Sequence, residues 1–232
     1  MRSEVKRIKK RILEDSFKAG ACHLGSSLSC VDILIAINDV KKRNDVFLFA
    51  KASGVAAYYA LMNKSWFLLR EYPLPSKEAG CIHSVGSLGH GLNVACGIAY
   101  ADKKSKVYCL ISDGELNEGS TWEALMFAGH HKLSNLIIVV DNNKIQACGR
   151  TKDILDNEPL QAKFKAFNLS TRRCDGHNIE YIKDCLTRWS GKAKIIIADT
   201  IKGNGIDFLE DRVDSHYKNI DQSTLKRALE QL

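Results

Sequence analysis

The stretch that decides the fold runs from residue 106 to residue 145 and reads KVYCLISDGELNEGSTWEALMFAGHHKLSNLIIVVDNNKI. It contains two short apolar runs, at 106–112 and 135–141, of the kind that buried parallel strands show. The residues between them, 118–132, are predicted to form a helix. Because a strand–helix–strand unit has a right-handed crossover, the stretch predicts two parallel strands with a helix packed on the sheet.

The rest of the chain continues this alternation of strands and helices. Two further strands are predicted at 169–174 and 193–200, and further helices at 3–19, 30–38, 54–62, 91–102, 179–189 and 222–232. We therefore expect an α/β fold, a parallel sheet with helices on both faces, in a single domain over residues 1–232. Ligands of such sheets bind beyond the carboxyl ends of the strands, which here means just after residues 112, 141 and 200.

Composition excludes several classes of protein. The 232 residues include 34 Lys and Arg against 27 Asp and Glu, a net charge of +7, with 45% apolar residues and 3 Pro, so the chain is not of a disordered type. No apolar run approaches the roughly 20 residues that cross a bilayer. The basic N-terminus also lacks the apolar core of a signal peptide. We therefore expect a cytoplasmic protein with no membrane partner.

The positive charge does not indicate a nucleic-acid partner. The densest basic cluster, at residues 6–11, is interleaved with aliphatic side chains and fits the solvated face of an amphipathic helix. A net positive charge favours phosphorylated ligands instead. The 8 cysteines are scattered without a close C-x-x-C pair, so the sequence predicts no zinc ribbon, and we expect most of the thiols to be structural.

Oxygen donors follow both central strands. Asp113 and Gly114 come directly after the first, and Asn143 and Ile145 follow the second. Because neighbouring parallel strands end at one edge of the sheet, we expect Asp113 and Asn143 to lie close together. Such donors suit Mg²⁺ bridging a diphosphate better than they suit zinc, and Gly114 permits a close backbone approach to phosphate oxygens. Spacing alone leaves open the alternative that Asp-Gly and Asn-Asn are only turn residues.

Several segments together resemble one enzyme family. Asp113-Gly114, followed thirty positions later by Asn143, resembles the thiamine-diphosphate fingerprint, Gly-Asp-Gly followed by a more distant Asn. Further segments resemble motifs of the transketolase family, in the family's order: HLG at 23–25, GSLGHG at 86–91, EGSTWEA at 118–124, DGHN at 175–178 and DSH at 214–216. The chain is thus similar to transketolases from about residue 20 to residue 218.

The resemblance implies thiamine diphosphate and Mg²⁺ as cofactors. It implies the following cofactor-binding residues: Asp113, Asn143 and the Ile145 carbonyl as metal ligands, Gly114 and His216 at the diphosphate, and Gly86 and Leu88 beside the aminopyrimidine ring. It also implies catalytic roles for His23 and His216, which would face the sugar hydroxyls. Glu118 would belong to a carboxylate network at a subunit interface near the cofactor. The implied reaction transfers a two-carbon ketol unit from a ketose donor to an aldose or another carbonyl acceptor.

One group that the reaction needs is not expected in this chain. In transketolases, the glutamate that acts on the pyrimidine ring belongs to a second, pyrimidine-binding domain in the C-terminal half. The sequence ends at Leu232, so we expect that this domain and the C-terminal domain are absent. The resemblance then implies an N-terminal subunit with a separately encoded C-terminal partner, in an α2β2 assembly.

Four departures from the family pattern bear on the substrate. Ser112 replaces the first glycine of the fingerprint, Ser53 aligns with a family histidine, and Asp199 stands where a lysine is common. The segment between Arg70 and Gly86 is short and lacks a Gly-His-Pro loop. These differences favour an unusual sugar substrate. Two alternatives stay open: another thiamine-diphosphate reaction, namely a decarboxylation or a condensation similar to that of deoxyxylulose-phosphate synthase, and a non-catalytic cofactor-binding subunit.

Overall fold

The structure is a computed structural model that describes residues 2–71, 86–188 and 190–232. Its described residues form the strands β1 (Val46–Phe49), β2 (Val107–Ser112), β3 (Leu136–Asn142), β4 (Ser170–Asp175) and β5 (Lys194–Asp199). These strands pair in the order β1-β2-β3-β5-β4, and every pairing is parallel. The predicted α/β fold with a parallel sheet is confirmed.

Helices cover both faces of this sheet, as predicted. In the described part of the chain they are α1 (Arg2–Ala19), α2 (Leu24–Ser29), α3 (Val31–Val40), α4 (Val55–Leu61), α5 (Gly91–Ala101), α6 (Gly119–His130), α7 (Thr151–Leu155), α8 (Leu160–Ala166), α9 (Ile179–Thr187) and α10 (Gln222–Gln231). Helices α1 to α4, α9 and α10 pack on one face, and α5, α6 and α8 pack on the other.

The strands are apolar on both sides because both faces are covered. Along β2, Tyr108 and Leu110 belong to the core on the first face, and Val107, Cys109 and Ile111 belong to the core on the second. This alternation follows from the two-residue period of a strand. It explains why the two central strands appear in the sequence as unbroken apolar runs.

The order of the strands reverses between β3 and β5. After β3 the chain forms β4 at the outer edge, and it returns through α9 to β5, which pairs with β3. The crossover helix α6 lies on the second face, and α9 lies on the first. The carboxyl ends of β2, β3 and β5 therefore border a crevice at a topological switch point, where ligands of α/β sheets bind.

Four elements were not predicted from the sequence, and one of them is α2, a helix of only six residues. Strand β1 has four residues, of which only Leu48 and Phe49 are buried, and it directly follows the charged segment at 41–45. Helices α7 and α8 span five and seven residues, too short to show a clear helical period. The helix predicted at 30–38 is observed as α3, and residue 189, the predicted end of another helix, lies outside the described residues.

Across the described residues, no helix is both long and apolar enough to cross a membrane. The expectation that most thiols are structural fits the cysteines that are buried, namely Cys30, Cys96, Cys109, Cys174 and Cys185. Cys22 and Cys148 are not buried, and Cys81 lies outside the described residues.

Candidate active site

The sheet brings Asp113 and the segment after β3 together, as predicted. The Asp113 amide donates to the Asp141 carbonyl (3.2 Å), which ties the turn after β2 to β3. The Asp113 carboxylate accepts from the amides of Gly114 (2.8 Å) and Lys144 (2.5 Å). Lys144 has a left-handed backbone (φ 66°), and this conformation directs its amide toward Asp113. The Asn143 side-chain oxygen accepts from the Ile145 amide (3.1 Å), so both side chains are held at one edge.

Three carboxylates are buried at this edge, those of Asp113, Glu115 and Asp141, and among the described residues only Asp141 forms an ion pair. Asp141 forms an ion pair with Lys51 (2.7 Å), and both side chains are almost fully buried, at 0% and 1% exposure. Burial is the largest single influence on the pKa of Lys51 and would lower it, but Asp141, Cys30 and Asp113 together raise that pKa above its ordinary value. Burial, followed by the charge of Asp141, raises the pKa of Asp113 to about 7. Asp113 is therefore a carboxylate that a bound cation would stabilise.

The donor set fits a hard divalent cation. The described residues contain no group of three or more His, Cys, Asp and Glu that could hold a metal. A site here would combine one carboxylate (Asp113), one amide oxygen (Asn143) and one backbone carbonyl (Ile145). Mg²⁺ is bound by few protein oxygens because it retains water and phosphate ligands, whereas zinc prefers sulfur and nitrogen. The residues present thus agree with the predicted Mg²⁺ bound to a diphosphate.

A cavity of about 510 Å³ opens beside this edge. Eight of the nine predicted site residues line it: His23, Gly86, Leu88, Asp113, Gly114, Asn143, Ile145 and His216. A Cβ placed on Gly114 would project toward the side chain of Gln146, whose nearest atoms would lie 3.5 Å from it. The ninth residue, Glu118, is exposed at the start of α6 and is not among the lining residues.

The two predicted histidines meet at one end of the cavity. Their ring centroids are 4.8 Å apart in an edge-to-face arrangement, and the His23 amide donates to the His216 carbonyl (2.9 Å). Burial, assisted by the charge of Lys202, lowers the pKa of His23 to about 4 and that of His216 to about 3. Both rings are therefore neutral at pH 7, and each carries one N–H donor and one nitrogen acceptor.

A profile of the family described as "Transketolase, thiamine diphosphate binding domain" matches residues 72–232. The chain belongs to the transketolase family. This finding confirms the resemblance inferred from the motifs, and it identifies the thiamine-diphosphate-binding domain as the part of a transketolase that the chain contains.

Individual transketolases and transketolase subunits show how the length of this chain compares with theirs. An apulose-4-phosphate transketolase subunit from Actinobacillus succinogenes is 37% identical, over 100% of this chain and 95% of that protein. A 6-deoxy-6-sulfo-D-fructose transketolase subunit from a Clostridium species is 34% identical, over 97% of this chain and 93% of that protein. The crystal structure of Campylobacter jejuni transketolase is 27% identical with a TM-score of 0.85, over 98% of this chain and 41% of that one. The chain thus spans about two fifths of that transketolase.

The structure shows what surrounds the positions that depart from the transketolase pattern. Ser53 lines the 510 Å³ cavity and also an adjoining pocket of about 130 Å³, which it shares with Cys22 and His23. Asp199 accepts hydrogen bonds from Arg173 (2.7 and 2.9 Å) and from Asn142 (2.7 Å), so it braces the ends of β3, β4 and β5. Ser112 donates through its amide to Glu115 (2.8 Å). The predicted short loop between Arg70 and Gly86 falls on residues 72–85, outside the described residues.

Four site residues of this transketolase domain were missed from the sequence. Lys51 neutralises Asp141, and Lys202 is buried and donates to the Ile145 carbonyl (3.2 Å) and to His216 Nδ1 (2.9 Å). The side-chain nitrogen of Gln146 is buried without a hydrogen-bond partner in the described chain, and Gln146 lines the cavity. Tyr217 packs edge-to-face on both histidines. Tyr217 directly follows the DSH motif at 214–216, and this position is a signal that could have found it.

A second cavity of about 530 Å³ lies on the other side of Asp113. Its two arginines are already paired, Arg150 with Asp211 (2.8 Å) and Arg173 with Asp199 (2.7 Å). Four cationic side chains line this cavity and four carboxylates match them, so it offers no net positive charge to a diphosphate.

Proposed function

We propose that this chain is the diphosphate-binding subunit of a cytoplasmic transketolase. Together with a partner subunit, it transfers a two-carbon ketol unit from a ketose donor to an aldose or another carbonyl acceptor. The observation that carries this proposal is the convergence of eight predicted residues on one cavity, beside the buried carboxylate of Asp113. The relatives that support it are both named as transketolase subunits.

In this proposal, Asp113, Asn143 and the carbonyl of Ile145 hold Mg²⁺, and Gly114 and His216 contact the diphosphate. Thiamine diphosphate, when bound, supplies the carbanion chemistry that breaks and forms the carbon–carbon bond. The chain supplies the Asp113 carboxylate, which holds the Mg²⁺ and through it the diphosphate of the cofactor. A cation beside Asp113 compensates the buried carboxylate, which explains how such a costly group is maintained at this edge.

We propose that Gly86 and Leu88 contact the aminopyrimidine ring at one end of the cavity. At the other end, we propose that His23 and His216 contact the substrate. The two rings line the cavity and are neutral at pH 7. A neutral imidazole both donates and accepts a proton, so the pair suits hydrogen bonding and proton exchange with sugar hydroxyls.

We propose that the pyrimidine-binding partner docks on the exposed face of α5 and α6. This face begins at the cavity rim, where Leu88 is partly exposed and Glu118 adjoins the turn at Gly89. It continues over Met126 and Phe127 of α6, which are also exposed apolar side chains. A partner seated here would reach the aminopyrimidine end with its glutamate and would cover Glu118, in an α2β2 assembly.

Gly97, on α5, provides a test of this docking face. A Cβ at Gly97 would meet no atom of the described chain within 4 Å, so Gly97→Arg should leave the fold intact. Because an arginine would protrude from the proposed face, we expect the affinity for the partner subunit to fall at least about tenfold, as in the loss of a well-packed interface contact. Analytical ultracentrifugation of the mixed subunits measures this.

The matched control is Glu230→Arg, which places the same side chain on exposed α10, on the opposite face of the sheet. It should leave the complex unchanged. Wild-type affinity in Gly97→Arg would contradict the proposed docking face, while the predicted transketolase activity could still hold.

The substrate is proposed to be an unusual sugar or sugar phosphate. The relatives named above act, by their names, on apulose 4-phosphate and 6-deoxy-6-sulfo-D-fructose. Ser53 and Tyr217 border His23 in this chain, so the wall beside the reacting carbon contains a small hydroxyl and an aromatic ring.

The decisive experiment combines the chain with its partner, thiamine diphosphate and Mg²⁺. The partner is sought as a neighbouring reading frame of about 300 residues, the length that a pyrimidine-binding and a C-terminal domain need together. Ketose phosphates and the two sugars named above are offered as donors, and pyruvate is the contrasting donor. Ketol transfer from a ketose supports the proposal. Turnover of pyruvate alone, or no thermal stabilisation by the cofactor in the presence of partner, would overturn it.

A further inference from the structure

Cys22 lies directly beside the substrate end of the cavity, and no motif draws attention to it. It immediately precedes His23 and lines the pocket of about 130 Å³ that also contains Ser53. Its sulfur is 2.9 Å from His23 Nδ1 and 3.9 Å from Nε2, so the contact is made with Nδ1. Cys22 is thus in hydrogen-bond contact with a ring that we place against the substrate.

The direction of this hydrogen bond follows from the chemistry of the two groups. Burial raises the pKa of the Cys22 thiol, so it is protonated at pH 7, and the His23 ring is neutral. A thiol sulfur accepts hydrogen bonds weakly, whereas the lone pair of a neutral imidazole nitrogen accepts well. The favoured arrangement is therefore S–H donating to Nδ1, with the ring proton on Nε2.

His216 provides an independent comparison within the same site. The Lys202 ammonium lies 2.9 Å from His216 Nδ1. An ammonium has only donors, so Nδ1 of His216 must accept, and its ring proton must also be on Nε2. The two rings of the pair thus share one tautomer, each set by a different neighbouring donor.

The backbone of His23 has an uncommon conformation. His23 has φ 67°, a left-handed conformation that is uncommon for a residue with a side chain, and it is the N-cap residue directly before α2. Its amide is tied to the His216 carbonyl (2.9 Å), and its ring packs on Tyr217 with centroids 5.3 Å apart. Cys22, as the adjacent residue, adds a contact to Nδ1 of this ring.

We propose that Cys22 is a positioning residue, whose thiol donates to Nδ1 of His23 and thereby holds that ring in the Nε2–H tautomer. The pair of histidines then presents two equivalent Nε2–H groups, which suit oxygen atoms of a polyhydroxylated substrate. The role in catalysis rests on the proposed function, but the tautomer does not, since it is a property of this chain alone.

The test is ¹⁵N NMR of the histidine rings in the full chain, in which protonated and unprotonated ring nitrogens resonate far apart. In the wild type, both His23 and His216 should show the Nε2–H pattern. Cys22→Ala should shift His23 toward a mixture with Nδ1–H and leave His216 unchanged, because Lys202 still donates to it. Cys22→Ser, whose hydroxyl can donate, should retain the wild-type pattern. Cys148→Ala, at another thiol that lines the cavity, is the matched control and should change neither ring.

Kinetics of the two-subunit enzyme provide the second readout. Cys22→Ala should lower kcat about tenfold, the effect of one lost neutral hydrogen bond, while Cys22→Ser recovers most of it. Binding of thiamine diphosphate should be unaffected in both variants. An Nδ1–H pattern of His23 in the wild type, or an unchanged pattern in Cys22→Ala, would overturn the proposal. A wild-type complex inactive on every ketose would instead overturn the proposed function and leave the tautomer assignment intact.

Discussion

Replacing Asp113 with alanine is expected to abolish metal-dependent binding of thiamine diphosphate to the two-subunit enzyme. Asp113 is the single carboxylate in the proposed donor set, and two backbone amides hold it in place. Loss of an outer-shell partner of a metal typically costs 10–100-fold in affinity, so loss of a direct ligand should cost about 100-fold or more. Isothermal titration with the cofactor, in Mg²⁺ and in EDTA, measures this.

Metal removal should reproduce the effect of the substitution. The wild type in EDTA should bind the cofactor as weakly as Asp113→Ala does in Mg²⁺, and EDTA should have no further effect on the variant. Asp156→Ala is the matched control, because Asp156 is an exposed carboxylate that lines the second cavity and not the cofactor cavity. Unchanged cofactor affinity in Asp113→Ala would refute the assignment of Asp113 as a metal ligand.

The sequence predicted those parts of the site that are local in the chain. Asp113 and Asn143 each follow a strand that is apolar on both faces, and neighbouring parallel strands must end at one edge. Their proximity therefore follows from the fold class alone. The agreement extends to Ile145, whose amide is held by Asn143 two residues earlier.

The sequence could not predict the charges that balance this edge. Lys51 follows a four-residue strand that has no clear signal of its own, and its partner Asp141 lies ninety positions later in the chain. Lys202 reaches the Ile145 carbonyl from a loop after β5. Such contacts depend on how the crossovers place distant segments, which neither hydrophobic period nor motif spacing records. The same is true of Cys22, for which the sequence predicted no role beyond the expectation that most of the thiols are structural.

Removing one partner of the buried ion pair between Lys51 and Asp141 is expected to lower the free energy of unfolding substantially. Asp141 accepts from Ser29 Oγ (2.6 Å) and from Thr200 in addition to Lys51, and none of its side chain is exposed. Lys51→Met removes the cation and leaves this carboxylate buried without compensation. Breaking a buried pair on one side typically costs about 3–5 kcal/mol, so we expect a decrease of that size in the free energy of unfolding, measured with urea.

The double variant Lys51→Met/Asp141→Asn separates charge from packing. The asparagine can accept from one neighbouring hydroxyl and donate to the other, and no buried charge remains, so most of the lost stability should return. Arg227→Met is the control, because its pair with Asp207 is solvent-exposed and should leave the urea midpoint unchanged. Equal destabilisation in the single and double variants would show that Lys51 acts through packing of its aliphatic stem. In that case, the electrostatic balance inferred between Asp141 and the cation site at Asp113 would have to be abandoned.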